Sequence, residues 1–236
     1  MKFTFYAFLI LLFILTNAAN SQNIYFKNIS RQNTISFNDS LNTISCKVDS
    51  IVMPYEVKFA VKFYEGTQFK KITIKKGNSK NLFKVKSHFV NLFLAPENRK
   101  YTVYIAYNFN TMVDSVTLKH LTYNAKMAQL IRCAAYINDY STSGFFDLFG
   151  NYFKNISKKH KITHLKDLDL KALEVGGGYQ LLSLSYVYEN YSNIETWNNP
   201  DAFSKYGKLT YSKFLSTQTI KRYIKDLPIY VSKKYE

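Results

Sequence analysis

Cysteine and histidine are scarce in this chain, and they are the side chains best suited to chemistry. Cys133, with His160 or His164 as its base, would be a nucleophile if a neighbouring imidazole stabilised the thiolate. Its setting, Ile131-Arg132-Cys133-Ala134-Ala135, carries no elbow and no turn that would build an oxyanion hole, so the residues favour a structural cysteine. His160 and His164 stand four positions apart, a spacing that puts both imidazoles on one face of a continuous helix, with Asp167 close enough to add a carboxylate oxygen. Between them lie Lys161, Ile162 and Thr163, without the glutamate that zinc proteases place between such histidines, and the nearby lysines repel a cation. No metal site and no cofactor is expected.

Gly176-Gly177-Gly178 has the composition of an anion-cradling loop. It lacks the lysine and hydroxyl of a nucleotide-binding loop and the spaced glycines of a dinucleotide fold, and reads as a flexible helix stop. Asp167 and Asp169 would diverge on a helix, and Glu189 and Glu195 have no recognisable setting; a glycosidase needs two carboxyl groups held across one bond. The chain therefore reads first as non-catalytic. An exported hydrolase with scattered catalytic groups is the alternative.

Charge suggests binding instead. The formal net charge is +16, which favours association with anionic surfaces. Of 32 basic residues only Arg31, Arg99, Arg132 and Arg222 are arginines, and base-specific recognition leans on the arginine fork. Sequence-specific nucleic acid is excluded on that ground. A partner protein or an anionic envelope polymer is the expected partner, with peripheral membrane contact through the aromatic stretch after Ser143. A helix rich in Phe145, Phe146, Phe149, Tyr152 and Phe153 and ending in Lys158, Lys159 and Lys161 suits a membrane interface, though filling a groove on its own protein is the favoured reading.

The elements that must position these groups follow from periodicity. Val57, Phe59, Val61 and Phe63 alternate with Lys58, Ala60, Lys62 and Tyr64, and Ile72 and Ile74 alternate with Lys71, Thr73 and Lys75. With Gly66 between them the two runs predict an antiparallel hairpin whose outer face carries Lys58, Lys62, Lys71 and Lys75 as the anion-binding surface. Further strands are expected around Cys46 and from Tyr101 to Phe109, and the unbroken run Phe89–Ala95 predicts a strand buried on both faces. The fold class is thus α+β: an immunoglobulin-like antiparallel β-sandwich over residues 22–123, then a mainly helical region over 124–236. Met127, Leu130, Ile131, Ala134 and Ile137 mark the first helix, Leu165, Leu168 and Leu173 a later one, and Pro200 to Lys225 reads as helical.

At the start, Lys2 precedes an apolar run from Phe3 to Leu15 and then Ala19-Asn20-Ser21, the pattern of a secretory signal over residues 1–21 with cleavage before Gln22. The protein is expected to be exported, to the periplasm, cell surface or medium. Disulfides persist there, so Cys46 and Cys133 are expected to pair, stapling the sheet to the first helix.

Overall fold

The computed structural model describes residues 26–36, 46–48, 53–64, 71–77, 83–106, 121–154, 157–189 and 214–231. The leader, the turn at 65–68, Tyr107, Phe109 and most of the stretch from Pro200 lie outside them.

Pro54 opens a helix, not a strand. Proline at the first helical position, Glu56 in the first turn and Lys62 in the last are all suited to a helix, and α2 spans Pro54–Lys62. The alternation of Val57, Phe59 and Val61 fits two periods over so short a window, and Ala60 decides between them. A strand would turn Ala60 outward with the lysines, yet Ala60 is buried beside Val57, Val61 and Tyr64, the stripe of a helix. Ahead of it lies the short α1 (Arg31–Ser36), opened by Ser30 and Asn33, whose side chains each accept from the other's backbone N–H.

That helix changes the sheet. β1 (Cys46–Val48) pairs in parallel with β2 (Lys71–Gly77), and α2 is the crossover such a pair requires. β3 (Phe83–Ser87) and β4 (Lys100–Ala106) complete a small mixed sheet in the order β1-β2-β4-β3, with β4 parallel to β2 and antiparallel to β3. The expected antiparallel β-sandwich is therefore wrong. Helices occupy the place of its second sheet. The run Phe89–Ala95 is not a buried strand either: Phe89–Phe93 forms one 3-10 turn and Pro96–Asn98 a second.

The centre of the molecule is α3 (Tyr123–Thr142), capped by the Thr122 hydroxyl, which accepts from the Ala125 amide at 3.2 Å. Its expected stripe of Met127, Leu130, Ile131, Ala134 and Ile137 is fully buried, and burial extends further round the helix because α2, the sheet and two later helices all pack on it. α4 (Phe145–Lys154), α5 (Lys158–Glu174), α6 (Gly178–Glu189), α7 (Thr217–Asp226) and α8 (Pro228–Val231) complete the described chain. One core cluster draws on Ile72, Val103 and Ile105 from the sheet and on Ile131, Leu173, Leu184 and Ile220 from the helices. No helix among the described residues is long and apolar enough to cross a membrane.

Cys133 is a free, buried thiol in this core, so the expected Cys46–Cys133 disulfide is not formed. Burial pushes the thiol up to about 12, against a smaller pull from Arg132, and leaves it a small apolar group rather than a nucleophile.

The triple glycine ends α5, but it is tightly held rather than flexible. Gly176 takes φ 95°, its N–H donates to Leu173 O at 3.1 Å, and the Gly177 N–H donates to Ala172 O at 2.8 Å, the paired bonds of a left-handed helix stop. At Gly178 a Cβ would sit 2.7 Å from the Tyr230 hydroxyl. That buried hydroxyl accepts from the Gly178 N–H at 2.8 Å and donates to Leu173 O, so α8 clasps the α5–α6 turn. Tyr230→Phe strands the buried Gly178 N–H, while Leu173 O keeps its bond from the Gly176 N–H, and is expected to lower the unfolding free energy by about 1–3 kcal/mol, read by urea denaturation. A change within a few tenths of a kcal/mol would show that the clasp carries no stability.

Candidate functional site

Alternation along the strands sorts the sheet into two faces. Ile72, Ile74, Phe83, Tyr101, Val103 and Ile105 turn inward to the core. The other face carries Lys75 on β2, Lys84 and Lys86 on β3, and Lys100 on β4, all exposed, around Thr73, Thr102 and Tyr104. A lysine-rich sheet face therefore exists, with a different membership from the expected one. Lys71 lies on β2 in register with Lys100. Lys58 and Lys62 lie on α2, which packs on α3 on the inner side of the sheet, and both are half-buried there.

β3 is an edge strand, and it leads from Lys86 through exposed His88 into the 3-10 turn Phe89–Phe93. In that turn Phe89 is 64%, Val90 59% and Phe93 70% exposed. The rings continue onto α4: Phe93 lies 6.1 Å from Phe145, which lies 5.4 Å from Phe146 and 6.1 Å from Phe149. Phe146 is 85% exposed. Among the described side chains of the helix, those of residues 145–150, Leu148 is the buried one, at 2%. Phe145, Phe146 and Phe149 are thus exposed rather than filling a groove on their own protein, as the favoured reading had them, while the side chains of Tyr152 and Phe153 lie outside those described.

Two buried polar residues hold this apolar surface out of the core. Asn91 acts as a strand partner made of side chain: its amide accepts from the Lys100 N–H at 2.7 Å and donates to Lys100 O at 2.6 Å and to Ser87 Oγ at 2.9 Å. With Asn91 directed inward, its neighbours Val90 and Phe93 must face out. Arg99 then fixes the turn to α3. Its Nε donates to Leu94 O at 3.2 Å, and its Nη1 lies within hydrogen-bond distance of Tyr140 O (2.6 Å), Ser141 O (3.2 Å) and Ser143 O (2.8 Å). A cation there meets the carbonyls left over at a helix C-terminus and the negative end of its dipole. Beside it, burial pushes the Tyr101 phenol up to about 12, although Arg99 pulls the other way.

The groups singled out for catalysis are not assembled. His160 is exposed, whereas His164 is half-buried edge-on to the stacked rings of Tyr136 and Tyr140. Asp167 is exposed and Asp169 fully buried in an ion pair with Arg132, where its second oxygen accepts from the Leu215 N–H at 2.9 Å. The same guanidinium lies 4.0 Å over the Phe214 ring, so this ion pair seats the segment entering α7. Among the described residues, no three of His, Cys, Asp and Glu come together as metal ligands would. Comparison of the chain with protein families, curated proteins and solved structures finds no match.

Sequence reasoning missed Lys84, Lys86, Lys100, Phe89, Val90 and Phe93. The lysines were legible: Phe83-Lys84-Val85-Lys86 alternates as a half-buried strand should. The exposed rings were not, because an apolar run carries no mark of which side water is on.

Burial holds the His164 imidazole below its ordinary 6.5, against upward pulls from Asp139 and Asp167, and Lys171 adds to the lowering. The unfolded chain then takes up its proton first, so the stability is whole above pH 6.5 and drains as pH falls through that value. Between about pH 7 and 5.5, above the ordinary carboxylate range, urea stability should fall, and His164→Gln should flatten that slope. An unchanged slope would place the titration elsewhere.

Proposed function

We propose that this is an exported, non-catalytic binding protein that docks on an anionic surface of the envelope through one composite face. That face comprises the sheet lysines Lys75, Lys84, Lys86 and Lys100 and the aromatic turn and helix beside them. The observation that carries the reading is the exposure of Phe89, Val90, Phe93, Phe145, Phe146 and Phe149 as one connected cluster. Soluble monomers rarely expose contiguous apolar surface of that kind unless something binds it. Lysines supply long-range attraction and orientation, while the rings supply short-range contact. The leader-like pattern of residues 1–21 supports the reading, since export would bring the chain to envelope surfaces.

Protein recovered from the envelope fraction, with Gln22 at its N-terminus, should be retained on an anionic polymer matrix and released as salt shortens the screening length to about 8 Å and below. Lys84→Gln, Lys86→Gln and Lys100→Gln together should weaken retention on the order of a hundredfold, at roughly a factor of five for each lysine near an anionic surface. Lys58→Gln with Lys62→Gln should leave it nearly unchanged. Equal retention of the triple variant and the parent would remove the sheet face from the function.

A further inference from the structure

We infer that the surface bound is a lipid bilayer carrying anionic headgroups, into whose interface the exposed rings insert; this rests on the reading just given and names its partner. Shape is the first argument. A protein partner of comparable affinity would offer pockets to these side chains, and such anchors work from well-packed, desolvated sites. Here the rings stand proud. Phe146 and Phe93 have most of their surface in water, 85% and 70% exposed on the helix and the turn. A bilayer takes in protruding rings without needing a matching surface.

Chemistry is the second argument. α4 has the build of an interfacial helix, with Phe145, Phe146 and Phe149 outside and Leu148 seated on the protein. An apolar face buried about 5–10 Å into the headgroup region places nearby cations level with lipid phosphates. Lys84, Lys86 and His88 lead directly into the aromatic turn, and the Lys100 backbone is bonded to Asn91 within it. Asp147 is the sole carboxylate on α4. Charge and aromatic surface thus complement an anionic bilayer at the same place.

Rigidity is the third. Asn91 and Arg99 hold the turn, so the rings are presented without a folding step at the membrane.

The test is co-sedimentation of the mature chain, from Gln22 onward, with vesicles of phosphatidylcholine alone and of phosphatidylcholine mixed with phosphatidylglycerol. Binding is expected to the mixed vesicles, to weaken with salt, and to fall by about tenfold for each ring removed in Phe93→Ser and Phe146→Ser. Phe146→Trp should bind like the parent, which separates loss of the ring from loss of the fold; circular dichroism checks each variant. Equal binding of the Phe93→Ser, Phe146→Ser double variant overturns insertion and leaves the lysine face standing. Equal binding to pure phosphatidylcholine overturns the role of the anionic headgroup. Retention on the polymer matrix with no vesicle binding overturns the bilayer but not the proposed function. Failure on matrix and vesicles alike overturns both.

Discussion

Arg99 enters the interior without the solvation a guanidinium has in water, and what meets it there is the end of α3. The carbonyls of Tyr140, Ser141 and Ser143 have no further helical turn to bond to, and the Arg99 donors supply one. Hydrogen bonds to a charged group contribute about 1.5–3 kcal/mol each, so the cluster is among the stronger polar contacts in the fold. Its position matters as much as its strength. Arg99 belongs to the connection between β3 and β4, and the carbonyls belong to the last turn of α3 and its link to α4. Joining them brings Phe93 against Phe145 and turns two separate stretches into one surface.

That surface runs against the burial rule the rest of the molecule obeys. Taking a phenylalanine out of water contributes about 1.5–3 kcal/mol, and the core gathers that from Phe59, Ile131, Leu173 and Leu184. Along α4 the same opportunity is declined at Phe145, Phe146 and Phe149 while Leu148 is buried. No local propensity forces this. Three rings left in water make the arrangement suited to a second surface that takes them in.

Where sequence and structure agree, residues left one periodicity standing. Met127 to Ile137 steps only at helical intervals, and α3 lies where those steps put it. Where they part, two periods fit the same letters. Val57, Phe59 and Val61 serve a strand or a helix, and only Pro54 and Ala60, weighed as a helix start and a helix core, break the tie. That single misreading carried the rest: with 57–63 a strand the neighbours became a sandwich, and Lys58 and Lys62 joined Lys71 and Lys75 on a hairpin. Lys75 keeps its place on the outer face because Ile72 and Ile74 keep theirs on the inner. Phe89–Ala95 failed for a different reason. The inward residue of that turn is Asn91, whose bonds to Ser87 and Lys100 are invisible to a hydrophobicity pattern.

The composite face requires the aromatic turn and α4 to be one pinned unit, and amide hydrogen exchange on an Arg99→Met variant tests that directly. With the clasp gone, exchange should quicken together in the turn, at Leu94 and Asn98, and in the first turn of α4, at Leu148, by about tenfold or more. The strands β2 and β4 should keep their protection. Faster exchange in only one of the two stretches, or in neither, would contradict the claim that Arg99 makes them a single surface.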